Sequence, residues 1–143
     1  LEKSNILDLF SGVGSFGIEC LSRGVKNVIF IENYSGVLPI LKKNLANLKS
    51  INNYDIIIDN IDNKNIFLKL EKKFEIIFLD PPYKYNNLSK LLLHIYSEKI
   101  LVKKGIIIIH RHKNERDIYP NQFKIIEEKK YGISKIIFLS FSD

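Results

Sequence analysis

Ile6-Leu7-Asp8-Leu9-Phe10-Ser11-Gly12-Val13-Gly14-Ser15-Phe16-Gly17 is the stretch on which the fold turns. Ile6–Phe10 is apolar apart from Asp8 and reads as a buried strand. Ser15–Arg23 reads as a short helix closed by Gly24, the residue type that most often follows a helix C-terminus. Between them, Gly12, Gly14 and Gly17 fall at G-x-G-x-x-G spacing. Strand, glycine loop and helix in that order are the context in which such spacing has meaning, because glycine lets the backbone turn sharply and approach a ligand closely.

Working outward, the same alternation continues. Val28–Ile31 reads as a second strand ending at Glu32, and Leu38, Leu41, Leu45 and Leu48 then recur at helical spacing. Ile56–Ile58 is a third strand, followed by a weaker helix through Ile66–Leu70. Ile76–Leu79 is a fourth, and Leu88, Leu91, Leu92 and Ile95 make one face of the next helix. Gly105 introduces a fifth strand, Ile106–Ile109. These strands are continuous apolar runs, as expected when both faces are covered. Gln122–Glu128 and Lys135–Phe141 break the pattern and read as a hairpin turning near Tyr131-Gly132. The expectation is an α/β protein: a Rossmann-like, doubly wound, mostly parallel sheet with a C-terminal antiparallel hairpin, all one domain over residues 1–143.

Composition narrows the function classes. With 143 residues, 45% of them hydrophobic, the chain can bury one core. No apolar run reaches membrane-spanning length. The single Cys20 excludes a disulfide framework and a multi-cysteine zinc site, and its place in a helix suggests an inert thiol. A net charge of +6 favours a polyanionic partner. The expectation is a cytoplasmic monomer. The chain opens at Leu1, without Met, directly before the first strand, and reads as a fragment.

The polar residues at the strand ends point to a ligand. Asp8 would repel a pyrophosphate but pair with an ammonium. Glu32 ends strand two, where an acid can accept ribose hydroxyls. Asp59 and Asn60 end strand three, within reach of an adenine amino group. An amino-acid ammonium together with a ribose describes S-adenosyl-L-methionine. With Phe10 and Asn33, these residues and the three glycines make the expected cofactor set.

Asp80-Pro81-Pro82-Tyr83 follows strand four. The prolines fix φ and carry no N–H, so their carbonyls are expected to face outward as acceptors. Asp80 adds an acceptor and Tyr83 a flat face. Acceptors beside a stacking ring suit a planar base with an exocyclic amino group; the bland reading is a strand followed by a proline turn. A nicotinamide-dependent oxidoreductase would explain the glycines and Glu32 but neither Asp8 nor Asp80–Tyr83.

Leu7–Glu19, Glu32 and Asp80–Tyr83 together resemble the class I S-adenosylmethionine methyltransferases, and more closely the RsmD family. The likeness extends through Leu21–Gly24, Lys43–Leu45 and Tyr131-Gly132, nearly the whole chain. It implies methylation of a guanine N2 in bacterial 16S ribosomal RNA (nucleotide 966), with ribosomal RNA or the small ribosomal subunit as partner. Asp80, Pro81, Pro82 and Tyr83 would form the catalytic corner, without a metal. The rivals are adenine N6 methylation of DNA or RNA, methylation of a protein amide, where Asn commonly replaces Asp80, and a non-catalytic RNA-binding module. Two departures stand out. The family's basic N-terminal segment is absent ahead of strand one. His110 also stands where the resemblance implies an acid, which is read as drift at the sheet's rim rather than a basic patch. Lys84, Arg111, Lys113, Arg116, Lys129 and Lys130 are the cations expected to follow RNA phosphates.

Overall fold

The computed structural model describes residues 2–143. Its strands are β1 (Asn5–Leu9), β2 (Asn27–Glu32), β3 (Tyr54–Ile58), β4 (Phe74–Leu79), β5 (Leu101–His112), β6 (Phe123–Tyr131) and β7 (Ser134–Phe141). They form one sheet in the order β3-β2-β1-β4-β5-β7-β6. The first five strands run parallel, and the hairpin adds β7 and β6 antiparallel at one edge. Helices α1 (Ser15–Ser22), α2 (Leu38–Ala46) and α3 (Leu88–Ser97) lie in the crossovers. The doubly wound sheet with its C-terminal hairpin is therefore as the sequence pattern implies. No helix among the described residues is long and apolar enough to cross a membrane.

Two elements differ from expectation. The helix through residues 66–70 is a single 3₁₀ turn, Ile66–Lys69, because Leu70 is already extended (φ −93°, ψ 117°) on its way into β4. The fifth strand begins at Leu101, so Gly105 lies inside it rather than ahead of it, and it runs on to His112, because β7 pairs Ile136, Lys135 and Ser134 with His110, Arg111 and His112. Those three residues therefore alternate across the sheet instead of forming one exposed patch.

Each face of the sheet carries its own core. Ile6, Val28 and Phe30 pack with Leu21, Leu41 and Leu45 beneath α1 and α2. On the other face, Leu7, Leu9, Ile29, Ile31, Ile77, Leu79, Ile107 and Ile109 pack with Leu88, Leu91, Leu92 and Ile95 of α3. Register aligns the strand ends. Leu9 lies opposite Ile31 and Leu79, and Leu79 opposite Ile109. The next row therefore consists of Glu32, Phe10, Asp80 and His110, all at the carboxyl rim.

Close packing, not backbone freedom, explains Gly17. A Cβ there would stand 2.3 Å from the ring of Phe30, which is wholly buried. Gly17→Ala gains about 1 kcal/mol in helix propensity but must displace that ring, and overpacking of this kind costs about 1–3 kcal/mol. Sterics should win: urea denaturation should give a net loss of up to about 2 kcal/mol.

Candidate active site at the carboxyl rim of the sheet

β1 sits between β2 and β4, and the crossovers leave it in opposite directions, so the crevice for a ligand opens at its carboxyl end. The glycine loop lines one side of that crevice. Gly12 (φ +56°) and Gly14 (φ +86°) are left-handed, a conformation that side chains with a Cβ rarely adopt. A Cβ on Gly12 would meet nothing within 4 Å, so the loop leaves open space for a ligand against its backbone. The Asn44 side chain in α2 holds the loop by donating to the Val13 carbonyl at 2.9 Å.

Glu32 ties this loop to β2. One carboxylate oxygen accepts the Gly12 N–H at 2.7 Å, and the other accepts the N–H groups of Asn33 and Tyr34, both at 2.9 Å. A carboxylate offers about four acceptor positions, so one remains for a hydroxyl. Asn33 enters the site through its backbone; its side chain is exposed.

Asp8 is buried beneath the loop, 1% exposed. Its Oδ2 accepts the Gly17 N–H at 3.1 Å, which caps α1 from outside the helix, since the N-cap Gly14 has no side chain to do so. Its Oδ1 is buried without a partner. Burial above all pushes the Asp8 carboxyl well above the ordinary carboxylate range; the Gly17 amide opposes this, and the charges of Asp80 and Glu32 add to it. A buried acceptor without a donor, beneath the glycine loop, fits an ammonium or another cationic ligand group.

Phe10 lies between the two halves of the rim, its ring edge-on to Tyr85 at 5.0 Å. Asp59 and Asn60 sit just past β3, but their acceptors are already engaged. Asp59 accepts from Lys69 at 2.8 Å, from Asn63 and from the Asn60 N–H, and the Lys69 contact leads in holding its carboxyl below the usual range. Asn60 Oδ1 accepts the Asp62 N–H. A base amine at this strand end would have to share these oxygens.

The Asp80–Tyr83 corner flanks a cleft of about 340 Å³, lined with His110, His112, Ile133 and Ser134 as well as Asp80, Pro81 and Tyr83. Tyr83 is 61% exposed, with the His112 ring 5.0 Å away at 38° and Lys84 Nζ 5.7 Å from its centre. The Pro82 carbonyl does not face outward. It accepts the Tyr85 N–H at 3.0 Å and Arg111 Nη1 at 3.4 Å. Of the expected outward-facing acceptors, Asp80 remains half-exposed, whereas Pro81 is buried.

Arg111 is a second correction. Its side chain is 1% exposed and cannot follow phosphates. The guanidinium donates to both oxygens of Asp117 at 2.9 and 3.0 Å and to the Tyr85 carbonyl at 2.9 Å, with Glu115 at 3.3 Å. Alternation was the available signal, because Ile107, Ile109 and Arg111 share the face that packs on α3. His110 on the other face meets Asp80: Nδ1 lies 2.8 Å from Oδ1. It therefore stands in contact with Asp80 at the proline corner. Sequence reasoning did not assign Asn44 to the site, although it lies within the Lys43–Leu45 stretch of the resemblance. Burial pushes the Cys20 thiol up to about 11, in keeping with an inert residue. A larger concavity, about 550 Å³, lies between residues 61–64 and α3 and includes none of the corner residues.

The chain has known relatives in sequence and in fold. The family described as "Conserved hypothetical protein 95" matches residues 1–140. "Ribosomal RNA small subunit methyltransferase D" of Haemophilus influenzae is 32% identical over 136 residues, 93% of this chain and 69% of that protein. A solved methylase structure from Haemophilus influenzae superposes with a TM-score of 0.82 at 30% identity, covering 99% of this chain and 89% of that one. At 14% identity, a methyltransferase complexed with SAH shares the fold, with a TM-score of 0.73 over 95% of this chain and 44% of that one.

The Asp8 environment gives a pH test. In the unfolded chain an Asp titrates near about 3.9, whereas the folded chain holds the Asp8 proton to higher pH. Through that window the unfolded state has released a proton that the folded state keeps, so this group's contribution to stability falls as pH rises. Asp8→Asn keeps an acceptor for Gly17 without the ionisation. Its melting temperature relative to wild type should climb as pH rises above about 4; a pH-independent difference would contradict the assignment.

Proposed function

The chain belongs to the RsmD family of methyltransferases, and on that premise we propose that it methylates the exocyclic N2 of a guanine in small-subunit ribosomal RNA. The observation that carries this reading is Asp80. Its half-exposed carboxylate stands beside the open ring of Tyr83, on the same row of strand ends as Glu32 and the Gly12 loop. S-adenosylmethionine, when bound, supplies a methyl group already activated on a sulfonium. Asp8, Gly12, Gly14, Gly17, Glu32 and the Asn33 backbone would hold it, with Phe10 packed alongside. Asp59 and Asn60 join this set only by sharing the hydrogen bonds they already make.

The chain's own residues then have the following work. A guanine N2 lone pair is delocalised into the ring, so the amine is a poor nucleophile. Asp80 and the Pro81 carbonyl accept its N–H groups and favour a tetrahedral nitrogen whose lone pair can be aimed. Asp80 Oδ2 receives the proton that the nitrogen sheds on alkylation. Tyr83 stacks on the base, and Pro82, with its carbonyl tied inward, keeps the corner rigid. Positioning and fixed dipoles are the source of rate. Because N2 lies on a base edge, the nucleotide must be unstacked or in a loop. Lys84, Lys113, Arg116, Lys129 and Lys130 are the remaining cations for phosphate contact. The chain would act as a monomer in the cytoplasm, where its RNA is found.

Asp80→Ala should lower methyl transfer to small-subunit ribosomal RNA at least about 100-fold, with S-adenosylmethionine affinity by calorimetry nearly unchanged. Wild-type turnover in this variant would remove Asp80 from the mechanism. Glu32→Ala should do the reverse. It loses charge-assisted hydrogen bonds of about 1.5–3 kcal/mol, so cofactor binding should weaken by at least about 10-fold. Mass spectrometry of the product RNA should find N2-methylguanine; methyl on adenine N6 would favour the nearest rival.

A further inference from the structure

The chain carries His110 where an acid is expected, and its geometry is specific. Leu79 pairs with Ile109, so Asp80 and His110 emerge side by side, one residue further along adjacent strands. Nδ1 of His110 lies 2.8 Å from Oδ1 of Asp80, and both residues line the 340 Å³ cleft. The neighbouring basic residues do not share this task. Arg111 points through the opposite face into its own carboxylate pair. His112 Nδ1 accepts the Asn114 N–H while its ring lies against Tyr83.

Resting on the methyltransferase reading above, we propose that His110 is a positioning residue that orients Asp80 and ties its activity to pH. The neutral ring donates its Nδ1–H to Oδ1. That fixes the carboxylate's rotation and leaves Oδ2 for the base amine, so a single oxygen is presented in a set direction. A second proton, on Nε2, makes the ring a cation against Asp80, and a carboxylate paired with a cation is a weaker acceptor for the amine and its proton. Imidazole is the side chain whose charge changes near neutrality.

The other groups around the ring are few. β4 presents Asp80, the corner presents Tyr83, and His112 stands two residues along β5. β7 presents the uncharged Ile136 and Ser134, with Lys129 beyond Ile136 on β6. Asp8 lies further down the same rim and is close enough to register the charge of Asp80.

The test compares wild type, His110→Ala, His110→Asn and Asp80→Ala in single-turnover methyl transfer from labelled S-adenosylmethionine to deproteinised small-subunit ribosomal RNA, from acid to alkaline pH. Wild-type rate should rise with pH. His110→Ala should lose about 10- to 100-fold in rate, the scale on which outer-shell hydrogen-bond partners act, with cofactor affinity unchanged. His110→Asn, whose amide nitrogen can donate from about the place of Nδ1, should recover most of the rate and lose the inflection with pH. Full activity in His110→Ala, or an inflection that persists in His110→Asn, would overturn the proposal. Should Asp80→Ala be as active as wild type, the failure lies in the methyltransferase reading of the corner instead. Nitrogen NMR of the chain without substrate gives an independent readout: His110 should be the Nδ1-protonated tautomer, and Asp80→Ala should release it. An Nε2-protonated ring in wild type would also overturn the proposal.

Discussion

Parallel pairing in register across β2, β1, β4 and β5 is the constraint on which the rim depends. Leu9, Ile31, Leu79 and Ile109 lie abreast and bury the same face. A slip of one residue in any strand would turn its apolar set out of the α3 core. Because the core forbids that slip, the next residue of each strand is delivered to a fixed place. Glu32, Phe10, Asp80 and His110 owe their adjacency to the packing of leucines and isoleucines one step earlier. The Asp80 N–H still reaches the Leu9 carbonyl at 3.4 Å, so the ladder loosens there without breaking.

Beyond that row the chain leaves the sheet, and a different force holds it. Arg111 is buried with Asp117 and Glu115 and donates to the Pro82 and Tyr85 carbonyls. Burying a guanidinium is costly, and its partners offset the cost only when its donors are satisfied together. Here the Arg111 donors reach two segments, residues 82–85 and residues 115–117. The contribution is conformational: the proline corner is tied to the loop after β5, so Tyr83 projects from a braced turn. Tyr85 adds a second tie by donating to Asp62 at 2.6 Å, and burial chiefly raises its phenol well above the ordinary value.

Much of this was legible in the residues. Strand–loop–helix at Gly12–Gly17, the acid at Glu32 and the Asp80–Tyr83 corner are local patterns whose meaning depends on neighbours in sequence. The parts that were not legible depend on partners far along the chain. The Pro82 carbonyl is held inward by Tyr85, three residues on, and also by the distant Arg111, whose burial is matched by Asp117. Asp59 reads as a free acceptor until Lys69 folds back on it, ten residues later. His110 reads as a lone imidazole because Asp80 is 30 residues away and meets it only through the β4–β5 register. Gly17 matches a loop motif, yet its space is taken by Phe30 across a helix–sheet contact.

The placement of β1 also governs the order in which the site can come into being. Its partner on one side, β2, follows closely in the chain, whereas Ile6 meets Ile76 on the other side only after most of the domain has been made. Chains emerge from synthesis amino end first. β1, α1, β2, α2 and β3 can therefore gather around the glycine loop before β4 exists. The Glu32–Gly12 bond belongs wholly to this early half. The Asp80 corner, its His110 neighbour and the Arg111 brace all lie in the later half, joined by long-range pairing of the kind that closes slowly. The residues proposed to hold the small molecule are thus encoded ahead of those proposed to hold the base, and the seam between them is the ladder between β1 and β4.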